Sequence, residues 1–82
     1  MKIRTSKGNE HELTYAGKPG RDENRLIMEM VDGREMSAVA ADFEELGTIA
    51  DANGKILLDG VLRISAIQRL SDGTYRVTMD KE

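Results

Sequence analysis

Cysteine and tryptophan are absent from this 82-residue chain, proline and histidine occur once each, and the aromatics are limited to Tyr15, Phe43 and Tyr75. Without cysteine, neither disulfides nor thiolate metal sites can reinforce the core, and a chain this short buries only about 60–65% of the surface its unfolded form exposes. With His11 as the single imidazole, a zinc site would be almost entirely carboxylate. No metal and no cofactor is expected. The longest uninterrupted apolar run is Ala38-Val39-Ala40-Ala41, far short of the ~20 residues a membrane helix needs. The opening Met1-Lys2-Ile3-Arg4-Thr5 enters polar sequence with no apolar h-region. These absences lead us to expect a single cytoplasmic domain over residues 1–82, with no targeting signal and no membrane association.

Charge is unevenly distributed. Six Lys/Arg against four Asp/Glu give residues 1–25 a charge of +2, two against eight give 26–62 a charge of −6, and four against three give 63–82 a charge of +1, for −3 in all. Proteins that track phosphate backbones usually carry a clear basic excess. The acidic middle holds Glu29, Asp32, Glu35, Asp42, Glu44, Glu45, Asp51 and Asp59. It reads most simply as a solvated face. The alternative is an acidic surface that competes with phosphate for the basic groove of a host-defence or nucleic-acid enzyme.

What the chain does have is four turn dipeptides: Asp32-Gly33, Asn53-Gly54, Asp59-Gly60 and Asp72-Gly73. Such pairs suit tight hairpins, because glycine adopts positive φ freely and Asn or Asp tolerates it better than other residues. Ile3 and Thr5, then His11, Leu13 and Tyr15, alternate around Lys7-Gly8-Asn9, which predicts a hairpin with Ile3 opposite Leu13 and Thr5 opposite His11. Gly17 to Asn24 reads as an exposed connection. Leu26, Met28 and Met30 share one strand face, and Arg34-Glu35-Met36 reads as a short return strand. The period then changes: Ser37 is the expected N-cap, Val39, Phe43 and Leu46 follow at helical spacing, and Gly47 suits the residue after the helix. Thr48 to Ala50 and Lys55 to Leu58 are expected to pair around Asp51–Gly54.

From Leu62 the apolar residues Leu62, Ile64, Ala66 and Leu70 alternate, with Gln68 as the exception. A two-residue Asp72-Gly73 turn then sets Leu70 against Tyr75, Gln68 against Val77 and Ala66 against Met79. Val61, Ile64, Ile67 and Leu70 also fall at spacing three, a competing helical reading that lacks an N-terminal cap. The expected fold is α+β: a small, mostly antiparallel β meander or barrel-like sheet of five to seven strands with one short helix. Its expected core is Ile3, Leu13, Leu26, Met28, Met30, Val39, Phe43, Leu46, Ile49, Ile56, Leu58, Leu62, Ile64, Leu70, Tyr75, Val77 and Met79, with Tyr15 also counted inward.

Few residues suggest chemistry. His11 lies between Glu10 and Glu12, and general acid–base work would need an orienting partner and a nucleophile that the sequence does not supply. Asp51-Ala52-Asn53-Gly54 resembles the opening of a calcium loop, yet Lys55-Ile56-Leu57-Leu58 follows where further oxygen ligands belong. Gly17-Lys18-Pro19-Gly20 has the GxxG form of a KH loop without flanking helices. The predicted hairpin sets Arg69 opposite Arg76 on the outward face, with Arg63 farther along, so an anion or a partner's carboxylate would relieve the opposed charges. All three aromatics are expected inside, so no stacking platform accompanies those arginines. The candidate interaction surface is therefore Arg63, Arg69 and Arg76 on the basic side and Asp42, Glu44 and Glu45 on the acidic side.

Three stretches carry a wider likeness: Leu13-Thr14-Tyr15-Ala16-Gly17, Phe43 before Gly47-Thr48-Ile49, and Asp59-Gly60-Val61-Leu62 leading to Ser71-Asp72-Gly73-Thr74-Tyr75-Arg76-Val77. In these patterns the chain resembles the small β-rich proteins encoded by bacteriophages and prophages. That resemblance implies an accessory or structural phage protein with no enzymatic role, acting in the host cytoplasm or with the virion. The expected function is a non-catalytic protein–protein interaction module, which pairs with a protein partner or with itself and takes no small-molecule ligand. A nucleic-acid-binding β domain is the lesser alternative.

Overall fold

A computed structural model describes residues 1–20, 22–71 and 73–82, so Asp72 of the expected Asp72-Gly73 turn lies outside the described residues. The elements in chain order are β1 (Lys2–Arg4), β2 (Glu10–Gly17), β3 (Arg25–Val31), α1 (Met36–Phe43), β4 (Ile49–Asp51), β5 (Ile56–Leu58), β6 (Leu62–Ser71) and β7 (Thr74–Lys81). The strands form one antiparallel sheet in the order β5-β4-β1-β2-β3-β7-β6. The α+β reading holds, with seven strands and one short helix. The barrel-like closure does not: the sheet is open, with β5 and β6 at its edges. An isolated bridge between Leu46 and Leu62, with the Leu62 amide donating to the Leu46 carbonyl at 2.8 Å, brings the segment before β4 to the start of β6.

The core fills the inner face of the sheet beneath α1. Fourteen apolar residues are buried, from Ile3 through Met79, and every one belongs to the expected set. Four residues expected in the core are not buried: Tyr15, Ile56 and Leu70 are exposed and Ile64 is half-buried, while Ile67, outside the expected set, packs against the core. Tyr75 and Phe43 are the largest sealed side chains, and Met28, Met30 and Met79 fill the space between them. Flexible thioether chains suit an inner surface whose strands are unevenly bent.

That bending comes from bulges, which also explain where the expected registers fail. The opening hairpin pairs Ile3 with His11 and Arg4 with Glu10, two residues from the predicted register. Its loop is Ser6-Lys7-Gly8, closed by Gly8 N–H donating to the Thr5 carbonyl at 2.9 Å, with Gly8 at φ +85. A glycine in the left-handed region suits the last position of a three-residue loop. A two-residue slip leaves faces unchanged, so Ile3, Thr5, His11 and Leu13 still point inward.

In β2 the register shifts between Leu13 and Tyr15. Thr14 is the extra residue, so Tyr15 turns outward opposite Glu29 and Ala16 takes the inward place opposite Met28. In β6 the shifts fall between Ile64 and Ala66 and between Arg69 and Ser71, making Ser65 and Leu70 the extra residues. The spacing of three from Ile64 to Ile67 is thus the imprint of a bulge, not of a helix turn. Thr14 Oγ1 donates to the Glu29 carbonyl at 3.3 Å and Ser65 Oγ to the Thr78 carbonyl at 3.4 Å. In both bulges a hydroxyl residue occupies the unpaired place and reaches across to the neighbouring strand.

The helix begins two residues earlier than predicted, so Arg34-Glu35-Met36 is not a return strand. Glu35, not Ser37, is the N-cap, and it makes no side-chain capping bond. Extended backbone at Glu44 ends the helix, and Lys7 Nζ donates to the Ala41 carbonyl at 3.2 Å near its C-terminus. A cation there offsets exposed carbonyl dipoles. Glu45, at φ 45, takes the left-handed turn that the sequence assigned to Gly47. Eight residues with no side-chain cap would not hold a helix in isolation, so docking of Val39 and Phe43 on the sheet maintains α1.

Candidate functional site

One polar network reaches into the core. The opening hairpin turns His11 inward, α1 brings Asp42 and Phe43 to it, and the link from β3 to α1 supplies Asp32 and Arg34. Arg34 grips both carboxylates, at 2.8 Å to Asp32 Oδ2 and 2.6 Å to Asp42 Oδ2. The backbone carbonyl of Arg34 also accepts the Tyr75 hydroxyl at 2.6 Å. His11 Nε2 lies 3.3 Å from Asp42 Oδ2 yet makes no hydrogen bond, and the ring packs 4.8 Å from Phe43, tilted by 33°.

Burial lowers the His11 pKa from its ordinary value, outweighing the opposing pull of Asp42; Arg34 adds to the lowering and Asp32 opposes it. Hydrogen bonding from Arg34 holds Asp32 below the usual carboxylate range, and both carboxylates keep the guanidinium charged. Among the described residues no hydroxyl hydrogen-bonds to Nε2 of His11. The histidine–carboxylate pair ties the helix to the sheet. Among the described residues no group of three or more His, Asp or Glu is placed to hold a metal ion.

The predicted arginine pair is not formed. Bulging in β6 sets Arg69 opposite Tyr75 and Gln68 opposite Arg76. Arg69 reaches over the inward Tyr75 ring, 6.0 Å from its centroid, while Arg76 lies outward and meets Glu29 at 3.5 Å. Arg63 pairs with Glu82 and stands opposite Asp80, which Arg25 grips through two bonds of 2.7 and 3.1 Å. The basic trio is therefore split between two faces. Asp42 belongs to the internal network, whereas Glu44 and Glu45 flank a shallow hollow shared with Arg63 and Ile64.

The other acidic residues are similarly scattered. Glu29 meets Arg76, Asp59 accepts the Thr48 hydroxyl, and Asp51 Oδ1 accepts the amides of Asn53 and Lys55, each at 2.9 Å. The carboxylate of the calcium-like segment is used by its own turn. A groove of about 480 Å³ beside β1 and β4 is lined by Lys2, Arg4, Glu10, Thr48 and Asp51 among others. Arg4 and Glu10, both in its lining, pair at 2.6 Å.

Two surface features escape the sequence. Tyr15 is half-exposed on the outward face, with its hydroxyl end over Gly17, where a Cβ would meet it at 2.5 Å. Val31, Met36 and Leu70 are exposed by 66%, 39% and 41%. Val31 and Leu70 lie toward the β6–β7 end of the sheet, because Val31 pairs with Thr74, Asp32 N–H donates to the Gly73 carbonyl at 2.7 Å, and Leu70 precedes the Ser71–Thr74 pair, while Met36 opens α1. Leu70 leaves the inner face because the bulge at Ser65 re-phases β6, and it is itself the extra residue of the second bulge. No periodicity rule places an apolar residue outside, although the paired spacings of two and three in β6 were a signal of bulging.

No family model, no curated protein and no solved structure matches this chain. The fold itself defines its class: a small α+β domain built on an open seven-stranded antiparallel sheet. No helix among the described residues is long and apolar enough to cross a membrane.

Proposed function

We propose that this domain is a non-catalytic protein-binding module whose contact surface is the end carrying Val31, Met36 and Leu70. The supporting observation is the exposure of Val31 and Leu70 toward the β6–β7 end of the sheet and of Met36 at the start of the helix that follows β3. Isolated exposed apolar residues are ordinary, whereas several brought to one place favour recognition of a partner. The sheet edges favour it less as docking sites. β5 offers only three residues, and β6 carries two bulges and two arginines, both familiar protections against added strands. On the resemblance of its strand and turn pattern, we carry forward a role as a phage or prophage accessory protein.

The test is quantitative capture from a lysate of the source cell, comparing the natural protein with the double variant Val31→Thr, Leu70→Ser, together with light scattering of each. A stoichiometric partner, or a second copy, that loses more than about tenfold in affinity in the variant supports the reading. Equal capture by both proteins, or a strict monomer that retains nothing, overturns it.

Tyr15 favours a second reading. An exposed aromatic on the outward sheet face beside Arg76 and Glu29 is the kind of platform on which an unpaired base stacks. Labelled single-stranded DNA and RNA titrated at low salt decide it. Binding lost in Tyr15→Ala supports this reading, and no binding at low ionic strength ends it.

A further inference from the structure

Nε2 of His11 is sealed from solvent, makes no hydrogen bond, and faces a carboxylate oxygen already occupied by another cation. Three charged groups act on this ring. Asp42 approaches from α1, and Asp32 and Arg34 from the link between β3 and α1. The cross-strand neighbour on β1 is the apolar Ile3, and Phe43 covers the ring from the helix. Protonating the imidazole would place a second cation beside Asp42 Oδ2, against an aromatic wall and away from water. Two cations would then compete for one oxygen in a site that desolvates both.

Of the elements that meet here, α1 is the one able to yield. It spans eight residues, lacks a side-chain cap, ends in extended backbone, and has only Val39 and Phe43 fully buried. By contrast β3 and β7 pair along seven consecutive positions.

We propose that His11 is an acid-sensitive latch, and that protonation of its imidazole releases α1 and the preceding link from the sheet while the β3–β7 pairing remains intact. Release exposes the Phe43 side of the core and moves Met36, so the device would act on the same end as the proposed contact surface. It does not depend on that surface binding anything. The direction of the linkage follows from the buried ring. A histidine whose proton affinity is lowered by folding contributes stability in full above its unfolded pKa of about 6.5, and that contribution is lost as the pH falls toward the folded value. Opening should therefore set in as the pH falls below about 6.5, above the range where the carboxylates ordinarily titrate.

Amide hydrogen exchange of the full chain, expressed as protection factors at about pH 7.5 and about pH 5, tests the proposal. The expected result is a loss of protection of at least about tenfold across Met36–Phe43, with β3 and β7 unchanged, and no such loss in His11→Gln. Unchanged helix protection, or an equal loss in His11→Gln, overturns it. Should His11→Gln fail to fold, NMR titration of the natural protein still decides, because it contains one histidine. An imidazole midpoint below about 6.5, accompanied by shifts in α1 amides, supports the latch. A midpoint above that value means that the proton tightens the contact with Asp42, and the latch is wrong.

Discussion

Tyr75 shows how one residue joins two systems. Its ring is sealed in the core opposite Met30, and its hydroxyl donates to the Arg34 carbonyl at 2.6 Å, fixing the link that carries the Asp32–Arg34–Asp42 network. Removing only that hydroxyl isolates the tether from the packing. Tyr75→Phe should lower unfolding stability by about 1 kcal/mol, the usual net worth of such a bond with one partner left unpaired. Urea denaturation measures it, and a neutral or stabilising change would mean that the carbonyl finds water readily. His11 belongs to the same scale. The sequence marked it as a strand histidine on an inward face, but its partner Asp42 could not be read there, since thirty-one positions separate them and only the docking of α1 brings them together.

At the scale of elements, the sheet obeys alternation until a bulge interrupts it. Met28 and Met30 in β3, and Tyr75, Val77 and Met79 in β7, lie inward as period two requires, because neither strand is re-phased against the other. β2 contains one inserted residue and β6 two, and the inward assignments that follow the first of them change face. That is why Tyr15 and Leu70 were misplaced, whereas Ile3 and Leu13 survived a slip of two residues. Leu70→Ser should accordingly change stability by less than about 0.5 kcal/mol, as expected at an exposed site. Phe43→Ala, which empties the contact between α1 and the sheet, should cost about 3–5 kcal/mol. Comparable losses for the two substitutions would place Leu70 in the core and remove the β6 bulge from the account. The helix start was similarly hidden. Ser37 has the chemistry of a cap, but the β3 link reaches α1 through Glu35, so the chain turns helical before Ser37 can serve.

At the scale of the whole molecule, the described carboxylates and guanidinium groups are largely spent on one another. Arg25 with Asp80, Arg76 with Glu29, Arg4 with Glu10 and Arg34 with two aspartates distribute charge around the domain without building a single field. Paired charges of this kind add little stability but keep the surface mixed and the sheet edges uninviting. What stands out from that background is an apolar end next to a helix held by a polar tether. The fold class was legible because turn dipeptides and alternation act locally. The proposed contact end was not, because it rests on a bulge and a cross-strand pairing that meet only in three dimensions. The most direct measurement is an amide chemical-shift map of the isotope-labelled domain as its captured partner is added. The account predicts perturbations concentrated in Val31–Met36 and Arg69–Thr74, with β1, β4 and β5 unmoved. Shifts centred instead on the β1–β4 groove, or on Tyr15 and the outward face of the sheet, would contradict it.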